Sequence, residues 1–118
     1  MGTQWFQVQV VVDDLEEARA LLRRLVDERL TASGTIVGPV LSIEWDHGVQ
    51  ETADRWLILA LSTEGRVHDL VAQMLQERDQ DAVQLVVLPV SFGDGRYLDR
   101  LVASQSEMLT GQSRDTNP

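Results

Sequence analysis

Apolar and polar residues alternate from Trp5 to Val12. Phe6, Val8, Val10 and Val12 fall on one side, and Gln7 and Gln9 on the other. A period of two predicts a strand with one buried face. The period then changes: Leu15, Ala18, Leu21, Leu22, Leu25 and Val26 recur at helical spacing, with Arg19, Arg23 and Arg24 off the stripe. Asp13 is the predicted N-cap, with Glu16 three residues on as in a capping box. Ser33-Gly34 is the predicted helix end. Thr35 to Trp45 reads as a second strand, interrupted at Gly38-Pro39, a pair that predicts a bulge or an edge position. Asp46-His47-Gly48 is a hairpin signal. The return strand runs to Leu61 and finishes in Trp56-Leu57-Ile58-Leu59-Ala60-Leu61. Ser62-Thr63-Glu64 is predicted to open a second helix, with a stripe of Val67, Leu70, Val71, Met74 and Leu75 and a polar close over Gln76 to Asp81. Val83 to Val90 is the fourth strand. Asp94 is then the expected cap of a last helix carrying Tyr97, Leu98, Leu101 and Val102.

The order β-α-β-β-α-β plus a helix is the split βαβ, ferredoxin-like arrangement, an α+β sandwich. Residues 1–110 are expected to form one domain, and the polar stretch 111–118 a disordered tail. Helices cover one face of such a sheet, so the other face should alternate. Trp56 to Leu61 and Leu85 to Val90 do not alternate; both are apolar throughout. Left bare, they would make a patch of a size that monomers rarely expose. The expected cover is the same face of another subunit, in preference to the terminal helix folding under the sheet.

Composition narrows the chemistry. The net charge is −9, so nucleic acid and anionic membranes are not expected partners. No apolar stretch approaches the ~20 residues that span a bilayer. Met1 to Trp5 lacks a basic region leading into an apolar run, and a cytoplasmic location is expected. There is no cysteine, which excludes thiol catalysis and thiolate metal sites. All ten basic residues are arginine, so Schiff-base chemistry and a P-loop lysine are excluded as well.

Several constellations could carry chemistry, and each has a plainer reading. Asp46-His47 with Glu44 and Glu51 could ligate a metal, but no second histidine stands at ligand spacing, and a solvated hairpin is favoured. His68 and Asp69 are sequence neighbours on a helix and do not form a dyad. Gly93-Asp94-Gly95 has the strand-to-helix context of a phosphate loop, yet Leu98 stands where a third glycine belongs, so a capping turn is favoured. Asp13, Asp14, Glu16 and Glu17 are explained by capping better than by Ca²⁺ or Mg²⁺. Trp5, Trp45 and Trp56 could line a cleft or fill the core. Nothing nominates a catalytic residue, and the chain is not expected to be an enzyme.

Leu85 to Ser104, reading LVVLPVSFGDGRYLDRLVAS, resembles the C-terminal signature of the CutA divalent-cation-tolerance family. Leu25 to Ser33 is similar to that family's LVExRLAAC helix end. Trp45 in its hairpin and the Leu57 to Thr63 strand end fall at the family's spacings, and the resemblance covers about residues 6 to 104. It implies a ferredoxin-like subunit packed as a tight homotrimer, association with copper and other divalent cations, and no known catalysis.

The departures concern ligand groups. Ser33 stands where the family often has Cys. The family's HPYxxPE segment is Arg78 to Gln84 here, with Arg78 for the His, Gln80 for the Tyr and Gln84 for the Glu. Leu61 occupies the place of a lysine, and Trp45 and Tyr97 survive. The residues expected to line an inter-subunit ligand cleft are therefore Trp45, Arg78, Gln84 and Tyr97. No soft-metal site carries over, and any divalent cation is expected to bind weakly through oxygen. The alternative is a trimeric small-ligand sensor resembling the PII signalling proteins, with Arg78, Arg96 and Arg100 serving a nucleotide's phosphates.

Overall fold

The computed structural model describes residues 3–77 and 83–110. The elements are β1 (Trp5–Val12), α1 (Leu15–Asp27), β2 (Ser33–Asp46), β3 (Val49–Thr63), α2 (Glu64–Glu77), β4 (Leu85–Pro89) and α3 (Gly95–Thr110). The four strands form one antiparallel sheet in the order β2-β3-β1-β4. This is the ferredoxin-like α+β arrangement expected from the sequence, with α3 appended. Residues 111–118, expected as a tail, lie outside the described residues.

Residues directly opposite in a ladder point to the same side. Val8 pairs with Ala60 and Val87, and Val10 with Ile58 and Leu85, so these share one face. On it Val8, Val10, Val12 and Ile58 are buried with Ala18, Leu21 and Leu25 of α1 and Val67, Leu70 and Met74 of α2. The apolar stripes of both helices thus meet the alternating face of β1, as their periods require.

The end of α1 departs from the expected Ser33-Gly34. The helix stops at Asp27, where the Arg29 N–H donates to the Val26 carbonyl (3.0 Å) and the Leu30 N–H to the Leu25 carbonyl (2.9 Å). These are the two bonds of a Schellman motif, and Arg29 holds its left-handed position with φ 64°. Arginine occupies a place where glycine is the usual signal, so the stop left no mark in the sequence. Ser62 and Thr63, expected to open α2, instead extend β3, pairing with Phe6 and Trp5. The buried Ser62 hydroxyl donates to the Leu30 carbonyl at 2.7 Å, and the Glu64 N–H donates to the Gln4 carbonyl at 3.0 Å. Strand pairing keeps these residues extended, and the helix begins only beyond it.

Thr31 is fully buried; its hydroxyl donates to the Leu61 carbonyl, with the Ser33 carbonyl 3.0 Å away, and accepts from the Ser33 N–H at 3.4 Å. Thr31→Val keeps the shape and removes the donor. It is expected to cost about 1–3 kcal/mol, because the partly buried Leu61 carbonyl loses its hydroxyl donor and the Ser33 N–H loses an acceptor. Urea unfolding at fixed protein concentration measures this; an unchanged midpoint would mean the bonds contribute nothing.

The N-cap of α1 is Asp14 rather than Asp13. Asp14 accepts from the Glu17 N–H at 2.7 Å, while Asp13 accepts from Arg55 at 2.8 Å. The expected interruption at Gly38-Pro39 is real: the β2–β3 register shifts between Val37 and Val40. The hairpin closes on His47-Gly48, with φ 53° and 82°, the two positive values of a type I′ turn.

Candidate functional site

The sheet face away from α1 and α2 is the first candidate surface. Leu57, Leu59 and Leu61 of β3 lie opposite Val11, Gln9 and Gln7 of β1 and Val37, Thr35 and Ser33 of β2. Val86 and Leu88 of β4 join them, opposite Gln9 and Gln7. All three leucines of β3 are half-buried, and Val37, Val86 and Leu88 are 40%, 52% and 42% exposed, so a large apolar surface stands open. Gln7 and Gln9 sit within it and hydrogen-bond each other at 3.1 Å.

This face is not wholly bare, which corrects one expectation. The Tyr97 hydroxyl of α3 is 3.4 Å from Ser33 Oγ, so the start of α3 reaches this face at its Ser33 end. Trp5, opposite Thr63, is buried there at 3% exposure. α3 thus touches the face at its Ser33 end, away from the stretch around Leu57, Leu59 and Val86.

The expected cleft residues do not meet within one chain. Trp45 is 70% exposed near the tip of the β2–β3 hairpin, paired with Gln50. Tyr97 sits at Ser33, the opposite end of β2. Twelve residues of strand separate those ends, roughly 40 Å at the usual rise per residue. Gln84 is exposed, and its carbonyl accepts from the Val11 N–H at 3.0 Å, near the end of β1 far from Trp5. Arg78 and Gln80 lie outside the described residues. Trp5 and Trp56 are taken up by packing, Trp56 against the main core, so the three indoles do not line one cleft.

The remaining constellations follow their plainer readings. Asp94 caps α3 by accepting from the Arg96 N–H at 2.9 Å. Asp46 and His47 approach to 2.7 Å at the hairpin turn, where both side chains are mostly exposed. Glu44 is turned toward Arg55 Nη2 at 3.7 Å instead. Arg55 thus joins Asp13 of the β1 end to Glu44 of the hairpin, a link across 42 residues that sequence spacing did not reveal. Among the described residues, no group of three or more His, Asp and Glu side chains is placed to hold a metal ion. Arg100 lies over the Tyr97 ring at 5.4 Å. No helix among the described residues is long and apolar enough to cross a membrane.

The profile of the family described as CutA1 divalent ion tolerance protein matches residues 6–104. The divalent-cation tolerance protein CutA of Pectobacterium atrosepticum is 32% identical over 87 residues, covering 74% of this chain and 79% of its own length. A chloroplastic CutA 1 of Oryza sativa is 26% identical over 100 residues, 85% of this chain. The chain spans 56% of that relative's length and 52% of a chloroplastic CutA of Arabidopsis thaliana. The crystal structure of CutA1 from Oryza sativa superposes with a TM-score of 0.79 at 25% identity, covering 86% of this chain and 93% of that one.

Proposed function

The chain belongs to the CutA1 divalent ion tolerance family, and from that premise we propose that it acts as a non-catalytic homotrimer in divalent-cation tolerance, with ligand groups altered from the family's soft-metal set. The observation that carries the assembly is the open apolar face around Leu57, Leu59, Val86 and Leu88. The number three comes from the family resemblance. An inter-subunit cleft is supported by the separation of Trp45 from Tyr97, since only different copies could bring the two together. Arg78 and Gln84 complete that proposed lining.

The ligand is a divalent cation held through oxygen, and copper is one candidate. The chain has no cysteine, and of its three methionines Met74 is fully buried in the core. Soft coordination of Cu(I) therefore has no thiolate to use. Titration of the purified chain with Cu(I) against a competing chelator is expected to find no stoichiometric submicromolar site; finding one would overturn the altered-site reading. The tolerance role itself is tested by growth of a deletion strain on graded copper and zinc. Heightened sensitivity, restored by the intact chain, supports the role, and unchanged sensitivity removes it. A cytoplasmic site of action is part of this reading, and cell fractionation tests it.

The nucleotide-sensor alternative calls on Arg78, Arg96 and Arg100. Arg96 is exposed 3.8 Å from Asp94, and Arg100 is exposed with its guanidinium over the Tyr97 ring. Tight saturable binding of ATP or ADP would favour the sensor over the tolerance protein.

A further inference from the structure

Arg19 and Arg23 stand one helical turn apart on α1, a spacing that places both guanidinium groups over one stretch of helix surface. With Leu22 of the same helix and Ile36 of β2 they line an open groove of about 210 Å³. Among the described residues neither arginine forms an ion pair. Two like charges one turn apart are mildly unfavourable on an isolated helix. A bound anion would relieve that conflict.

The floor of the groove is built rather than incidental. Leu22 and Ile36 both pack against the main core. Leu22 also lies directly on the backbone of Gly34, where any Cβ would overlap Leu22 Cδ1. The groove thus combines a fixed apolar floor with two cationic forks at its rim. Ile36 pairs with Ile58, on the helix side of the sheet, so an assembly through the Leu57–Leu59–Leu61 face leaves the groove open.

We propose that this groove binds a small anion with an apolar body, a carboxylate or phosphate monoester. Its charged head lies between Arg19 and Arg23 and its apolar part on Leu22 and Ile36. The planar guanidinium fork matches the oxygen pairs of both head groups. The volume is below the roughly 300–1,000 Å³ of sites for drug-sized ligands, which restricts the guest to about one ring or a short chain.

The test is titration of the full ¹⁵N-labelled chain at low ionic strength with phenyl phosphate, inorganic phosphate and phenol. Phenyl phosphate is expected to give saturable shifts at amides 19–23 and 34–36. Its affinity should exceed that of inorganic phosphate by roughly tenfold, and phenol should give no saturable shift. The double variant Arg19→Gln/Arg23→Gln changes two exposed side chains and should keep the wild-type circular dichroism while losing at least about tenfold in affinity. The proposal is overturned if phenyl phosphate causes no saturable shift up to ~10 mM, or if the double variant binds it as well as wild type. Equal affinities for phenyl phosphate and inorganic phosphate would likewise remove the apolar floor from the site.

Discussion

Leu59→Asp is expected to release a folded monomer near the 13.2 kDa chain mass, while the wild-type chain is expected to sediment near three times that value. Leu59 occupies the middle of the open face, between Thr35 of β2 and Gln9 of β1. Its side chain is half-buried in the single chain, so association would complete the burial. Fully burying a side chain of this kind is worth roughly 1.5–3 kcal/mol, and the face offers five or six of them. The gross gain is then on the order of 10 kcal/mol per subunit before association entropy is subtracted. An aspartate there must either be desolvated, at several kcal/mol, or hold the surfaces apart. A loss of about 4 kcal/mol weakens association roughly a thousandfold. Sedimentation equilibrium at micromolar concentration measures the outcome. A wild-type mass near that of one chain removes the assembly, and twice that mass removes the number three. If Leu59→Asp leaves the mass unchanged, this face is not the interface.

The neighbouring residue should behave in the opposite way. Ile58→Ala is expected to lower stability by about 2–5 kcal/mol without favouring the monomer. Ile58 is fully buried at the centre of the sheet, opposite Val10 on one side and Ile36 on the other. Truncation removes its transfer energy and leaves a cavity that a close-packed sheet and two helices cannot collapse to fill. Against the roughly 5–15 kcal/mol of a typical domain, that is a large share. Unfolding must be compared at fixed protein concentration, since assembly adds to apparent stability. A loss below about 1 kcal/mol would mean that the helix-side core is looser than its burial implies. Together the two variants separate the faces of one strand.

That the two faces of β3 differ could not be read from Trp56 to Leu61, which is apolar at every position. What its sequence did determine was that both sides need cover. The alternation of β1 assigned Val8, Val10 and Val12 to the core, and the stripes of α1 and α2 named their buried residues, except that Leu75 at the edge of the α2 stripe is 51% exposed. Asp46-His47-Gly48 marked the hairpin, and Gly38-Pro39 the register shift. These features are local: period and turn chemistry act over a few residues, so a linear reading captures them.

Tertiary structure decided the rest, because the deciding partner is distant in sequence each time. Asp13 was expected to cap α1, but Arg55 engages it from β3, and the cap passes to Asp14. Ser62 and Thr63 resemble a helix start, but pairing with β1 holds them in the strand. α1 ends at a left-handed arginine, and the buried hydroxyls of Thr31 and Ser62 tie the segment that follows to β3. Of the candidate cleft, Trp45 and Tyr97 were legible as residues but not as neighbours, since β2 holds them at opposite ends. The Arg19–Arg23 groove shows the same division. Helical spacing put the two arginines on one side of α1, but only the packing of α1 on β2 set Ile36 beneath them and made a concave surface.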